Sequence, residues 1–289
     1  MNYSKGSSLW RKAVEELKNP VAGIELLWWP ELTRFIGGLR PHELTLICAP
    51  TGAGKTQLLA NISAQLLEQR ISHFVAPVET GDVDYMKRVA SSLVKRDYNS
   101  GEKFSESELA RVESDVGKVL SGPINIAGYD NRVDAQEMID MLAYQHERYG
   151  AKVALLDNLN FFLKIVSTQM ERAEMDAAMH EFVMLAKKLP LHIMLIVHPK
   201  KTDGGRVESE FDIKGSSTAV QECSNVMLFN RPSREHMEGP LCRRYTDREI
   251  VFRKIRKRGE SVGRPIWLGF EGGRYKEFAR PARRPDDNF

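Results

Sequence analysis

Residues 49–56 read APTGAGKT. The segment fits G-x-x-x-x-G-K-[ST] with Ala49 in place of the first glycine, between an apolar run, residues 43–49, and a helix-like stretch, residues 55–69. Gly52 and Gly54 allow the backbone to turn its N–H groups inward around phosphate oxygens, and the helix N-terminus adds partial positive charge. Lys55 would reach the β- and γ-phosphates, and Thr56 would ligate Mg²⁺. Ala49, Pro50, Thr51, Gly52, Ala53, Gly54, Lys55, Thr56 and the adjoining Gln57 are therefore the candidate nucleotide-binding residues, with ATP and Mg²⁺ the implied cofactors.

Hydrolysis at such a loop needs two carboxylates. One anchors the magnesium water shell at the end of a buried strand, and Asp157 closes the run KVALLD (residues 152–157). The other orients water, and Glu79 follows the run HFVAPV (residues 73–78). Asp157 could instead start a turn, and Glu79 could cap the next helix. Pro77 sits awkwardly before Glu79, since proline cannot donate within a central ladder. A bulge or an edge position would reconcile it. His198 ends the run LHIMLIV (residues 191–197), where it could contact the γ-phosphate or serve packing alone. The ligand-binding edge of a parallel sheet is the C-terminal one, so all three ends should converge there.

The elements that would hold these groups follow from the hydrophobic pattern. Strand-like runs at 43–49, 72–79, 124–127, 152–157, 191–197 and 226–229 alternate with helical stretches at 55–69, 83–97, 105–120, 133–149 and 170–188. Continuously apolar strands between helices predict an α/β fold, a largely parallel sheet covered on both faces. Ser105 and Glu108 have capping-box spacing. Residues 199–214 are a long polar loop. Residues 248–255 and 265–270 then read as a late antiparallel hairpin. In the first of these strands alternation would put Lys254 and Arg256 on one face and Arg253 on the other; a solvated basic hairpin is the competing reading.

Before residue 41, a short amphipathic helix is expected at 9–18, capped by Ser7 or Ser8, then an irregular apolar segment at 23–38 that packs across the domain. The expected organisation is 1–40 as helix and docking segment, 41–279 as the catalytic domain, and 280–289 as a disordered tail. Three distant cysteines argue against a disulfide framework or a zinc site, and no signal peptide or apolar run of membrane-spanning length is visible. A cytoplasmic protein, bacterial or phage-encoded, is the expectation, with a mitochondrial origin left open.

Taken together, WPELTRFIGGLRPHELTLICAPTGAGKT, Glu79, Asp157, the HPKK at 198–201, DIKGSS at 212–217 with Gln221, and FRKIRKRGE at 252–260 resemble the replicative helicases of the DnaB family, which include bacteriophage helicase-primases and mitochondrial Twinkle. The resemblance spans roughly residues 8–278 and implies a RecA-like motor. Lys55 and Thr56 would bind ATP and Mg²⁺, Asp157 would be the Walker B acid, Glu79 the catalytic base and His198 the γ-phosphate sensor. Lys254 and Arg256 would reach into the neighbouring subunit's site, with Arg256 as the arginine finger. The helix at 9–18 would dock on that neighbour. The loop 199–215 would line the channel of a hexameric ring, gripping single-stranded DNA through Lys200, Lys201, Arg206, Lys214, Gly215 and Ser216. Translocation would run 5′ to 3′, and a primase or helicase loader would be a further partner.

Three features depart from the family pattern. No primase or primase-binding domain is read ahead of the motor, Asn158 and Asn160 replace the Tyr and Gln that often follow the Walker B acid, and Pro77 precedes the base. A RecA- or KaiC-like regulatory or recombination ATPase without unwinding activity, and a nucleotide-binding assembly module without turnover, are the alternatives. The net charge of +3 hides an asymmetry: residues 198–289 hold 20 Lys and Arg against 14 Asp and Glu, so the positive charge lies in the half carrying the loop and the finger.

Overall fold

The computed structural model describes residues 5–128, 133–163, 168–200, 206–214, 217–232, 247–257 and 262–278. The expected tail at 280–289 lies outside them. Nine strands form one sheet among the described residues: β1 Glu43–Cys48, β2 His73–Pro77, β3 Ile124–Ile126, β4 Val153–Asp157, β5 His192–Val197, β6 Asn225–Asn230, β7 Arg248–Ile255, β8 Pro265–Glu271 and β9 Arg274–Phe278, in the order β3-β2-β4-β5-β1-β6-β7-β8-β9. The first six are parallel and the last three antiparallel.

The helices are α1 Gly6–Lys18, α2 Pro30–Ile36, α3 Lys55–Glu68, α4 Asp82–Val94, α5 Glu106–Leu120, α6 Ala135–Tyr149, α7 Thr168–Lys188 and α8 Ser217–Glu222. Side chains alternate across each strand, so the sheet feeds two cores. Ile47, Val75, Leu155 and Ile196 pack with α2, α3 and α4 through Phe35, Leu58, Ile62 and Val89. Leu46, Ala154, Leu156 and Leu195 pack against α6, α7 and α8 through Leu142, Met175, Phe182 and Val220. This two-sided burial is why β1, β2, β4, β5 and β6 are buried at every residue and mostly apolar, whereas β3 at the sheet edge is half-buried. Ser105 and Glu108 form the expected capping box at α5, and Asp134 and Glu137 form another at α6.

Three local expectations need correction. Helix α1 starts at Gly6 with Lys5 as its N-cap, so Ser7 and Ser8 lie inside it, and none of its residues is buried. Residues 23–38 are not wholly irregular: Pro30 is the first residue of α2, where its fixed φ and missing N–H suit a helix start. The late hairpin has a third strand, β9, after the two-residue turn Gly272-Gly273, whose φ values of 54° and 92° require glycine. Pro77 takes the edge position expected of it, without a bulge. Val78 donates to the Asp157 carbonyl on β4, so the missing Pro77 donor faces the other side, where β3 has stopped at Ile126.

Candidate active site

Strands β1, β2, β4 and β5 end at one edge, and their next residues supply the site. The phosphate loop turns through Gly52 (φ 74°) and Gly54 (φ 91°), and Gly54 caps α3. The first N–H groups of α3 lack intrahelical partners and point at this edge. Lys55 is buried, with Nζ donating to the carbonyls of Ala49 (3.3 Å) and Pro50 (3.1 Å). Burial pulls its pKa down, against the opposing pull of Asp157 and Glu79.

Thr56 Oγ1 donates to Asp157 Oδ2 at 2.6 Å, joining the two residues expected at the metal. Asp157 is fully buried, and its second oxygen, Oδ1, has no partner among the described residues. Burial raises its pKa, with the Thr56 hydrogen bond opposing that shift. A buried carboxylate oxygen left open beside a hydroxyl is a donor set suited to a hard divalent cation.

Asn158 ties the remaining groups together. Its Nδ2 donates to Glu79 Oε2 at 3.0 Å and lies 3.0 Å from His198 Nε2, while its Oδ1 accepts from the Asn160 N–H. A flipped amide would set oxygen against the Glu79 carboxylate, so the nitrogen faces both partners, and His198 Nε2 must be the acceptor. Neutral His198 agrees with its depressed pKa, caused first by burial and then by the Lys55 charge. In the sequence Asn158 stands out only as a departure from the family pattern; its place directly after Asp157 is the signal that could have marked it.

The far strands reach back to the phosphate loop. Arg248 at the start of β7 donates to the Ala53 carbonyl, and the Tyr275 hydroxyl occupies the space a Cβ on Gly54 would need. Tyr275 is locked by Asn61 Oδ1 on its N–H (2.7 Å) and by Trp29 Nε1 on its carbonyl (3.0 Å); burial pushes its pKa up to about 12. No local pattern marks these residues, some 200 positions from the loop they support.

Gln57 differs from its expected place. Its amide donates to the Gly273 carbonyl (2.6 Å) and Ser92 Oγ (3.1 Å), and its oxygen accepts from Arg88 (3.3 Å), so its side chain belongs to a buried network behind the loop.

Lys254 and Arg256 do share a direction. Lys254 Nζ donates to the Gln221 carbonyl and Arg256 Nη2 to the Glu222 carbonyl (3.0 Å), both at the C-terminal end of α8. Arg253 does not point the other way. A register shift between Val226 and Met227 pairs Val226 with Lys254 and Met227 with Phe252, leaving Arg253 as the extra residue, and its guanidinium donates to the Glu208 carbonyl on the same side of the sheet as Val207. Because β7 is antiparallel, Lys254 and Arg256 lie at the starting edge of β1 and β6, where Lys257 is 3.6 Å from Glu43. The phosphate loop is at the opposite edge, about 20 Å away along a six-residue strand. Neither cation can serve its own chain's phosphate loop.

The loop after β5 is closed at its base. Pro199 bridges to Ile213, Lys200 N–H donates to the Asp212 carbonyl (2.7 Å), and Lys214 N–H donates to the His198 carbonyl (3.4 Å). Lys200 and Lys214 stand on this base. Arg206 turns inward instead, donating to the buried Glu249 carboxylate and to the Arg231 carbonyl (2.6 Å). Lys201, Gly215 and Ser216 lie outside the described residues.

This sheet order with a phosphate loop after β1, a paired Thr56–Asp157 and carboxylate and imidazole groups at the adjoining strand ends defines a RecA-like phosphate-loop NTPase. The chain belongs to the family described as DnaB-like helicase C terminal domain, which it matches over residues 28–274. Among solved structures it is similar to one described as an ATPase domain, with 13% identity and a TM-score of 0.79 over 96% of this chain and 100% of that one. It is also similar to a DnaB-like replicative helicase described together with its interactions with primase, with 14% identity and a TM-score of 0.75 over 96% of this chain and 68% of that one. No helix among the described residues is long and apolar enough to cross a membrane.

Proposed function

We propose that this chain is the motor of a ring-forming DNA helicase that couples ATP hydrolysis at subunit interfaces to movement along single-stranded DNA, 5′ to 3′ by its resemblance. The observation that carries this reading is the direct join between His198 and the base of the loop after β5: the residue beside the phosphate site and the segment expected to meet DNA are one hydrogen-bonded stretch of backbone.

In this reading Lys55 and the N–H groups of the phosphate loop hold the ATP phosphates. Thr56 and Asp157 would hold Mg²⁺, which would supply neutralisation of phosphate charge when bound. Glu79 accepts a proton from the attacking water as it bonds to the γ-phosphorus and the bond to the β–γ bridging oxygen breaks, releasing ADP and phosphate, and Asn158 keeps that carboxylate and His198 in place. Lys254 and Arg256, stationed at the edge away from their own phosphate loop, stabilise charge on the phosphoryl group in the next subunit, which is what a ring requires. The unburied α1 is the segment free to dock on that neighbour.

The test is ATPase activity with and without single-stranded DNA, alongside native mass spectrometry with an ATP analogue and an oligonucleotide. Stimulation by DNA and a hexamer on one strand are expected. A monomer under every condition, or equal rates abolished by Lys55→Ala, would refute the DNA motor. Mixing Lys55→Ala with Arg256→Ala subunits should restore part of the activity, since some interfaces then pair an intact phosphate loop with an intact finger.

A further inference from the structure

We infer that Phe211 is a stacking platform for a base of the bound single strand, an inference that rests on the DNA-motor reading. Phe211 lies in the short 3-10 helix Glu210–Asp212 of the loop after β5 and is 67% exposed. A large apolar side chain turned to water is normally left free to fold away, yet this one is held at its backbone. Its carbonyl accepts from Lys200 Nζ at 2.8 Å, and the Asp212 carbonyl next to it accepts from the Lys200 N–H at 2.7 Å. Val207 and Ile213, buried on either side, pin the segment to the α7–α8 face of the sheet.

The charges around the ring favour a nucleic acid over an apolar protein face. Lys200 Nζ sits on its carbonyl and Lys214 follows three residues on, while two of the three described loop carboxylates, Asp212 and Glu208, are occupied within the loop. Asp212 accepts from the Glu208 and Ser209 N–H groups, and Glu208 lies 3.7 Å from Arg206. An exposed aromatic ring on a backbone-anchored segment that also carries Lys200 and Lys214 is the combination that binds single strands, with cations on phosphates and a ring under a base. Stacking is sequence-tolerant, as a translocating motor needs, because every base has a π-face.

The experiment compares the full chain and its Phe211→Ala and Phe211→Trp variants for binding of oligothymidylate and of the same strand carrying abasic sites, read by fluorescence anisotropy. Wild type should bind oligothymidylate about tenfold more tightly than the abasic strand. Phe211→Ala should lose that difference while binding the abasic strand as wild type does, and Phe211→Trp should keep it and show base-induced quenching. ATPase activity without DNA should be the same in all three. If wild type binds both strands equally, or Phe211→Ala weakens both by the same factor, the stacking role is overturned while the phosphate-gripping loop stands. If Phe211→Ala instead changes the oligomer seen by sedimentation and leaves both affinities intact, the ring covers a second copy of the chain and the inference fails. If wild type binds neither strand, the motor reading falls with it.

Discussion

The side-chain amide of Asn158 donates to the Glu79 carboxylate at 3.0 Å, and the same nitrogen lies 3.0 Å from His198 Nε2. The candidate base and the candidate sensor, 119 positions apart in the chain, are therefore set by one fully buried residue. Asn158→Ala should lower kcat by roughly tenfold to a hundredfold with little change in KM, since it frees Glu79 without touching the phosphate loop. Asn158→Asp should be worse, because it places a second carboxylate against Glu79. Steady-state ATPase assays at saturating ATP separate the two parameters.

The 2.6 Å contact between Thr56 and Asp157 predicts a magnesium defect distinct from a nucleotide defect. Asp157→Asn should raise the magnesium concentration needed for activity by at least about tenfold, while metal-free nucleotide binding, carried by Lys55 and the loop N–H groups, stays close to wild type. Titrating a fluorescent ATP analogue with and without Mg²⁺ measures this, and Lys55→Ala should show the opposite pattern.

Gly54 is doubly constrained, by a φ of 91° and by the Tyr275 hydroxyl standing where a Cβ would go. Gly54→Ala should abolish nucleotide binding and cost about 1–3 kcal/mol of stability. Adding Tyr275→Ala removes the collision but leaves the backbone requirement, so the double variant should regain stability only in part. Chemical denaturation of the three proteins would show whether the two effects separate.

Stability should fall in mild acid. His73 and His192 are fully buried, and burial depresses each pKa from 6.5 to about 4. Between those values the unfolded chain binds protons that the folded chain refuses, so stability is intact above pH 6.5, declines as pH drops below it, and stops declining on this account near pH 4. From pH 7 to pH 5 the loss is roughly 2 kcal/mol per histidine. Urea midpoints at the two pH values check it. His192→Gln, which keeps polar atoms for the Thr45 hydroxyl and the Arg40 carbonyl, should reduce the pH dependence by about half.

Much of this protein is local and so legible in its sequence. The phosphate loop is eight consecutive residues. Asp157 and His198 end apolar runs whose strand character follows from burial on both faces, and the Ser105–Glu108 capping box lies within a single turn. Composition and periodicity also sufficed for the parallel sheet, because β1, β2, β4, β5 and β6 are mostly apolar segments buried at every residue. The third antiparallel strand was missed because β9, RYKEF, is short and half polar and gains its place only by pairing with β8.

Which residues meet depends on how the strands assemble. Arg248 and Tyr275 brace a phosphate loop 195 and 221 positions away, and Gln57 turns from that loop into the network behind it. The bulge that brings Arg253 to the same side as Lys254 depends on register with β6, which alternation within β7 cannot reveal. That a phosphate-binding loop sits at the end of a parallel strand can be read from residues 43–56 alone, since it requires only local backbone and side-chain types. That Lys254 and Arg256 stand at the sheet edge away from their own loop was decided by strand direction, a property of the assembled sheet.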